Sequence, residues 1–146
     1  MRRRSIVILA LCAATGGRAQ AQGSDSAAQS SAQSFLQDFD NGDLGLIYRN
    51  RIAGRFKTTT NQTAFVQNLG MNRIQLGGPA INRHLVGGQR LGQLPGMTIQ
   101  GTFYYTRYVA SYPSGLAFND VFLELEGNEW KIVGFSFMPA PPSAAR

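Results

Sequence analysis

The length, composition and charge of the chain narrow the classes of protein to which it can belong. Its 146 residues are enough for one domain. Hydrophobic residues make up 43% of the chain and charged residues only 15%, and this composition excludes a disordered protein. The formal net charge of +6 would fit a nucleic-acid-binding protein, but four of the 14 basic residues lie before residue 19.

The N-terminus has the three-part pattern of a secretory signal peptide. Three arginines at positions 2–4 precede a short apolar run over residues 6–14, and Ala19 and Ala21 form an A-x-A cleavage site. The run is too short for a membrane-spanning helix, which takes about 20 residues. We therefore expect residues 1–21 to be removed during export to the periplasm or beyond. The mature chain would carry no transmembrane segment and a net charge of only +2, which argues against a nucleic-acid partner.

The only cysteine, Cys12, lies inside this apolar run, so the mature chain could form no disulfide. The alternative is a lipoprotein signal, in which Cys12 becomes the lipidated first residue of an anchored protein. That signal prefers a small residue just before the cysteine, and Leu11 is large. Cleavage after Ala21 is therefore the favoured prediction.

Helical patterns come next along the chain. Residues 22–31 are small and polar and are predicted to form a flexible leader. Apolar residues then recur at helical spacing from Ala32 to Phe39, and Gly42 can end this helix with a positive φ. Asp43 is the candidate N-cap of a short second helix.

A third helix is predicted after Thr60, with Phe65 and Leu69 on one face, and residues 77–79 should break it. Strand-like segments separated by turns follow, namely residues 80–91, 102–111, 116–126 and 129–138, with Gly87 and Gly88 interrupting the first.

Helices followed by antiparallel strands predict a single α+β domain over residues 32–138. In it, N-terminal helices would pack on a curved sheet of about four strands. The proline-rich residues 139–146 are predicted to be a disordered tail.

The final hairpin and the order of the earlier motifs point to a known family. An acidic strand and a glycine turn precede Trp130-Lys131-Ile132-Val133-Gly134-Phe135; upstream stand Phe35-Leu36, Gly42-Asp43, Arg83-His84-Leu85 and Leu94-Pro95-Gly96. Over about residues 32–137 the chain resembles exported bacterial proteins of the domain of unknown function 4019 family, which are similar to the nuclear-transport-factor-2-like superfamily. The resemblance implies export and a cystatin-like or nuclear-transport-factor-2-like cone. It implies no activity, because that superfamily holds both enzymes and non-enzymes.

Residues that could carry chemistry are few. His84, the only histidine, could be a general base, but no carboxylate stands within ten residues of it in the sequence. Asp38, Asp40 and Asp43 cluster near the end of the first helix, where capping and solvation explain them. Proton-transfer chemistry would need His84 or an isolated acid buried in an open pocket beside a second polar group.

No metal or cofactor is expected. Zinc sites use several cysteines or histidines, and the mature chain offers one histidine and no cysteine. It also has no glycine-rich phosphate loop before a helix and no G-x-S-x-G motif.

Two segments are candidates for binding. Arg51 and Arg55 lie four residues apart in a basic and aromatic stretch, where a shared helix face would suit an acidic partner or a membrane surface. A solvated helix end is the alternative interpretation.

The aromatic strand over residues 102–111 is the stronger candidate. Alternation places Tyr105 and Arg107 on one face and Tyr104 and Tyr108 on the other. The tyrosines predict an amphipathic surface for a protein partner or a homodimer, although ordinary packing would use the same residues.

We therefore predict an exported, non-catalytic module that binds a protein or a small ligand. The alternative is a cone-fold enzyme that transfers protons with an isolated acid or His84.

Overall fold

A computed structural model of the protein describes residues 23–146. The predicted signal peptide, its cleavage residues Ala19 and Ala21, and Cys12 all lie outside the described residues. Within the described part, no helix is long and apolar enough to cross a membrane.

Residues 23–146 form helices first and strands second. The elements are α1 (Asp25–Asn41), α2 (Leu44–Asn50), α3 (Gly54–Lys57), α4 (Gln62–Leu76), β1 (Asn82–Gln93), β2 (Gln100–Tyr112), β3 (Gly115–Glu126), β4 (Glu129–Pro139) and a short 3-10 helix (Pro142–Ala145). The strands form one antiparallel sheet in the order β1-β2-β3-β4. The predicted α+β class, with helices preceding a four-stranded antiparallel sheet, is confirmed, and the cone shape stays a prediction.

Helix α1 starts earlier than its sequence suggests and ends where predicted. Ser24 is the N-cap and accepts a hydrogen bond from the Ala27 amide, so the helix begins inside the predicted flexible leader. The correction has a packing cause, because Ala28 is fully buried and its small side chain lets the helix lie close to its neighbours. At the other end Gly42 adopts a φ of 83°, which glycine tolerates best.

The remaining helices follow the predicted pattern with small shifts. Asp43 precedes α2 without a side-chain cap, and α3 is a short additional helix. Helix α4 is capped by Asn61, one residue after the predicted Thr60, and it buries Phe65 and Leu69.

Helices α1–α4 pack on one side of the sheet, and within residues 23–146 no long helix covers the other side. We call the helix-covered side, which includes Tyr104 and Tyr108 of β2, the inner face, and we call the opposite side, which includes Tyr105 and Arg107, the outer face. Between the helices and the inner face, aromatic rings fill the interior. Phe39 stacks on Phe137 with centroids 4.6 Å apart. Further ring contacts join Phe35 and Phe65 to Phe135.

Strand β1 lies at one edge of the sheet and contains the irregularity that its glycines predicted. The register with β2 shifts between Leu85 and Gly87, so Val86 is an extra residue that forms a β-bulge. A Cβ atom on Gly88 would lie 2.5 Å from the Tyr104 hydroxyl, which explains why glycine stands there.

The C-terminal tail is more ordered than its prolines suggest. Residues 142–145 form the short 3-10 helix, which corrects the prediction of a disordered tail. The Ala140 amide donates to the Leu116 carbonyl at 2.9 Å, so the backbone pairing with β3 continues past the last strand. Proline also favours the start of a helical turn, because its φ is already fixed.

Candidate functional site

The most organised group of polar side chains on the outer face is centred on Asp120. Arg107 of β2 holds both oxygens of this carboxylate, with Nε to Oδ1 at 2.7 Å and Nη2 to Oδ2 at 2.8 Å. Tyr105 donates its hydroxyl to Oδ1 at 2.9 Å. The pairing register of β2 with β3 places Arg107 directly opposite Asp120, so the strand geometry brings the two charges together.

Aromatic rings surround this polar group. The Arg107 guanidinium carbon lies 4.5 Å from the centre of the Phe118 ring, and the Tyr105 and Phe122 rings are 5.0 Å apart. Asp120 is only 5% exposed, whereas the Arg107 side chain keeps 32% of its surface open to solvent. A buried carboxylate therefore fixes a partly exposed arginine against an aromatic surface.

Two depressions in the surface meet at Tyr105 and Arg107. One, of about 290 Å³, is lined by Gln89, Leu91, Pro95, Tyr105, Arg107, Asp120 and Phe122. The other, of about 250 Å³, is lined by residues 86–89 together with Tyr105 and Arg107. We call these two depressions with their shared residues the outer-face site.

Burial and the contacts with Asp120 hold the site in one charge state at neutral pH. Burial, and then the hydrogen bond and charge of Asp120, raise the pKa of Tyr105 above its ordinary value. The hydrogen bond to Asp120 is also the largest cause of the raised pKa of Arg107. At neutral pH Tyr105 is therefore a neutral donor and Arg107 a fixed cation.

The other two tyrosines of the binding prediction lie on the inner face. Tyr104 and Tyr108 are 1% and 2% exposed, so they belong to the core and offer no surface to a partner. The Tyr104 hydroxyl accepts a hydrogen bond from Gln29 of α1 at 2.9 Å. Alternation along β2 separated the two faces correctly, but it could not indicate which of them the helices cover.

The two arginines of the basic segment bind carboxylates of the chain itself. Arg51 donates to Asp38 at 2.5 Å, and Arg55 donates to Glu124 at 3.0 Å. The hydrogen bond to Glu124 is the largest cause of the raised pKa of Arg55. Neither arginine lines the outer-face site, and their separate partners do not support one shared helical surface.

A second polar cluster lies on the helix-covered side. Arg83 donates to both carboxylate oxygens of Asp40 and to the hydroxyl of Tyr112, and its Nε donates to Asn119 at 3.0 Å. Burial lowers the pKa of Arg83, but the hydrogen bonds and charges of Asp40 and Tyr112 outweigh it and raise the pKa. The cluster ties the end of α1 to three strands, so Asp40 does more than the capping and solvation expected of it.

His84 lies exposed on β1 opposite Val109, and within residues 23–146 its side chain forms no hydrogen bond or ion pair. The described residues contain no group of histidine, cysteine or carboxylate side chains placed to hold a metal ion.

Sequence reasoning missed the central role of Asp120. The signal was present in the turn at residues 112–115, because a tight turn there fixes the pairing of β2 with β3 and sets position 107 opposite 120. Asp120 was only one of eight carboxylates before that register was known.

Comparison with known proteins identifies one family. The family described as "Protein of unknown function (DUF4019)" matches residues 31–135, which is more than half of the chain. No curated protein and no solved structure matches.

Proposed function

The chain belongs to the DUF4019 family, which is described only as proteins of unknown function, and we propose that it is an exported, non-catalytic module that binds a protein partner with the outer-face site. The partner can be a second copy of the chain. The observation that carries the proposal is the Arg107–Asp120–Tyr105 group, which is held in place on a face of the sheet that the helices leave uncovered.

The chemistry of this surface suits protein recognition. Arginine and tyrosine are enriched among the residues that dominate binding energies at protein interfaces. Here Asp120 fixes Arg107 before any partner arrives, so less conformational entropy is lost when it binds. The Nη1 group of Arg107 is not used by Asp120, and it can donate to a partner's carbonyl or carboxylate.

The interior of the fold supports a binding role over a catalytic one. The space between the helices and the sheet is filled by the rings of Phe35, Phe39 and Phe65 packed on β4. Asp120, the most buried acid of the outer face, has both oxygens engaged by Arg107. Neither feature favours the alternative of an enzyme with an isolated acid or His84 in an open pocket.

Export is part of the proposal and rests on the sequence of residues 1–21. The basic start, the short apolar run and the A-x-A site support removal of this segment after Ala21. The intact mass of the chain from a periplasmic fraction tests this step, with Gln22 expected as the first residue. A palmitate-labelled chain that loses its label in Cys12→Ser would replace this proposal with lipid anchoring.

The binding surface is tested by native mass spectrometry of the chain purified gently from the periplasm. We expect a dimer or a protein adduct in the wild type and its loss in Gln89→Arg. Gln89 is exposed and lines both depressions, so a long charged side chain there obstructs the site without touching the core.

The matched control is Gln67→Arg, which makes the same change at an exposed position of α4 on the other side of the molecule. It should keep the adduct. An adduct that survives Gln89→Arg, or a wild type that remains a bare monomer, contradicts the proposed surface. A small bound mass lost only in Gln89→Arg would keep the site and change the partner from a protein to a small ligand.

A further inference from the structure

A second cleft lies between the N-terminal half of α1 and the turn that joins β3 to β4. It has a volume of about 380 Å³, which falls near the lower end of the range of about 300–1,000 Å³ for small-molecule sites. Its lining comprises Ala27, Ser30, Ser31, Ser34, Asn50, Arg51, Asn128, Glu129, Trp130 and Lys131. Nine of these ten residues carry a polar side-chain group, and none belongs to the outer-face site.

The charges of this cleft are already compensated within the chain. Arg51 is paired with Asp38 at 2.5 Å, and Lys131 is paired with Glu129 at 2.7 Å. Lys131 also donates to the Asn50 carbonyl at 2.8 Å. An anionic ligand would have to compete with two carboxylates for these cations, so the electrostatics favour a ligand without net charge.

The neutral polar groups of the cleft are available instead. The side chains of Ser30, Ser34, Asn50 and Asn128 make no hydrogen bond within the described part of the chain. Hydroxyl and carboxamide groups both donate and accept hydrogen bonds. Four such groups around one cleft match a ligand that also presents many donors and acceptors at short spacing.

The floor of the cleft is held in place by a hydrogen bond between α1 and β4. Ser31 donates to the Trp130 carbonyl at 2.8 Å, which fixes the turn end of β4 against α1. Trp130 is 5% exposed, and its indole Nε1 is buried with no partner among residues 23–146. This nitrogen has almost no accessible surface, so a ligand in the cleft would meet the neutral polar side chains and not the indole donor.

From this arrangement we propose that the cleft between α1 and the β3–β4 turn binds a neutral, hydroxyl-rich ligand, namely a saccharide of one or two rings. The compensated charges and the four unengaged side chains are independent observations, and a neutral polyol meets both. The inference does not rest on the outer-face site.

The test uses a probe that the chain already contains. Trp130 is the only tryptophan and lines the cleft, so its fluorescence reports on occupancy without a label. The full mature chain is titrated with maltose, cellobiose and N,N′-diacetylchitobiose, with calorimetry as a second readout. We expect a saturable change in Trp130 emission with at least one of these sugars, and little dependence on salt because no charge is neutralised.

A pair of variants on α1 makes the test specific. Ser34→Leu places a larger apolar side chain in the cleft and should weaken binding by about tenfold or more, or about 1.4 kcal/mol. Gln33→Leu places the same apolar side chain at the neighbouring exposed position, which does not line the cleft, and should bind as the wild type does. Leucine favours helix at both positions, so neither variant should unfold α1.

Several results would overturn the inference. It fails if none of the three sugars changes the emission or produces heat at millimolar concentration, or if Ser34→Leu binds as tightly as Gln33→Leu. It also fails if sodium sulfate or inorganic phosphate binds with strong salt dependence while the sugars do not, because the cleft would then be an anion site. Gln89→Arg should leave sugar binding unchanged, so failure of the outer-face site is recognised separately.

Discussion

The inner and outer faces of the sheet belong to the same strands but differ in what covers them and in the side chains they carry. On the inner face, apolar and aromatic side chains are buried under the helices. The packing of their rings against one another contributes to the stability of the fold. On the outer face, apolar residues such as Phe118 and Phe122 remain half-buried around one partly exposed ion pair. The difference indicates that packing against the helices holds the fold together, while the outer face is arranged around a fixed charge that other molecules can reach.

The largest loss of stability should follow from removing an aromatic ring from the inner face. Phe39 is fully buried and stacks on Phe137, so Phe39→Ala should lower the free energy of unfolding by about 3–5 kcal/mol. Phe122→Ala removes the same ring from the half-buried outer face and should cost distinctly less. Urea unfolding of both variants measures the contrast, and equal losses would show that the outer face is as much a part of the core.

The next effect concerns the ion pair. Asp120→Asn leaves Arg107 without its counter-charge and should lower the free energy of unfolding by about 2 kcal/mol, since Arg107 is partly exposed and a fully buried pair would lose more. A double-mutant cycle with Arg107→Gln isolates the coupling between the two side chains. A coupling energy near zero would mean that the pair does not fix Arg107.

A smaller loss is expected where the backbone of β1 approaches a core tyrosine. A Cβ atom in Gly88→Ala would lie 2.5 Å from the hydroxyl of Tyr104, which is too well packed to move freely, so we expect a loss of about 1–2 kcal/mol. Gly92→Ala is the matched change, because an added Cβ there meets nothing within 4 Å. The midpoint temperature of thermal unfolding should be clearly lower for Gly88→Ala than for Gly92→Ala. The reverse order would contradict the close approach of Gly88 to Tyr104.

The smallest effect depends on pH. The pKa values of Tyr105, Tyr108 and Tyr112 are raised above the ordinary value of about 10, first of all by burial. The folded protein therefore holds these protons more tightly than the unfolded chain does. Their stabilising contribution is complete below about pH 10 and is lost as the pH rises through the raised values.

Tyr105→Phe removes one of the three titrating hydroxyls and its hydrogen bond to Asp120. We expect a cost of about 0.5–1 kcal/mol at neutral pH and a shallower loss of stability on the alkaline side. Urea unfolding over a series of alkaline buffers measures the slope. An unchanged slope would show that Tyr105 does not hold its proton more tightly in the folded state.

The sequence predicts more of the fold than of the site, for a physical reason. The end of α1 at Gly42, the buried pair Phe65 and Leu69, and the order of helices and strands all follow from local patterns along the chain. The start of α1 does not, because the burial of a small residue such as Ala28 depends on what packs against it.

The candidate site depends on contacts between distant parts of the chain. Two-residue alternation separated Tyr105 and Arg107 from Tyr104 and Tyr108, but only the placement of the helices decides which pair is buried. The partnership of Arg107 with Asp120 requires the register of two strands, and a shift by one residue would have turned every side chain to the other face.

The irregular edge of the sheet also has a consequence for the behaviour of the protein at high concentration. Within the described residues, β1 has a neighbouring strand on one side only, and an edge strand that is long and flat invites pairing with the edge of another molecule. The bulge at Val86 and a second shift of register between Leu91 and Gln93 interrupt the regular spacing of its backbone groups. A strand from another molecule therefore finds no long, evenly spaced ladder to extend, and the edge is protected against aggregation.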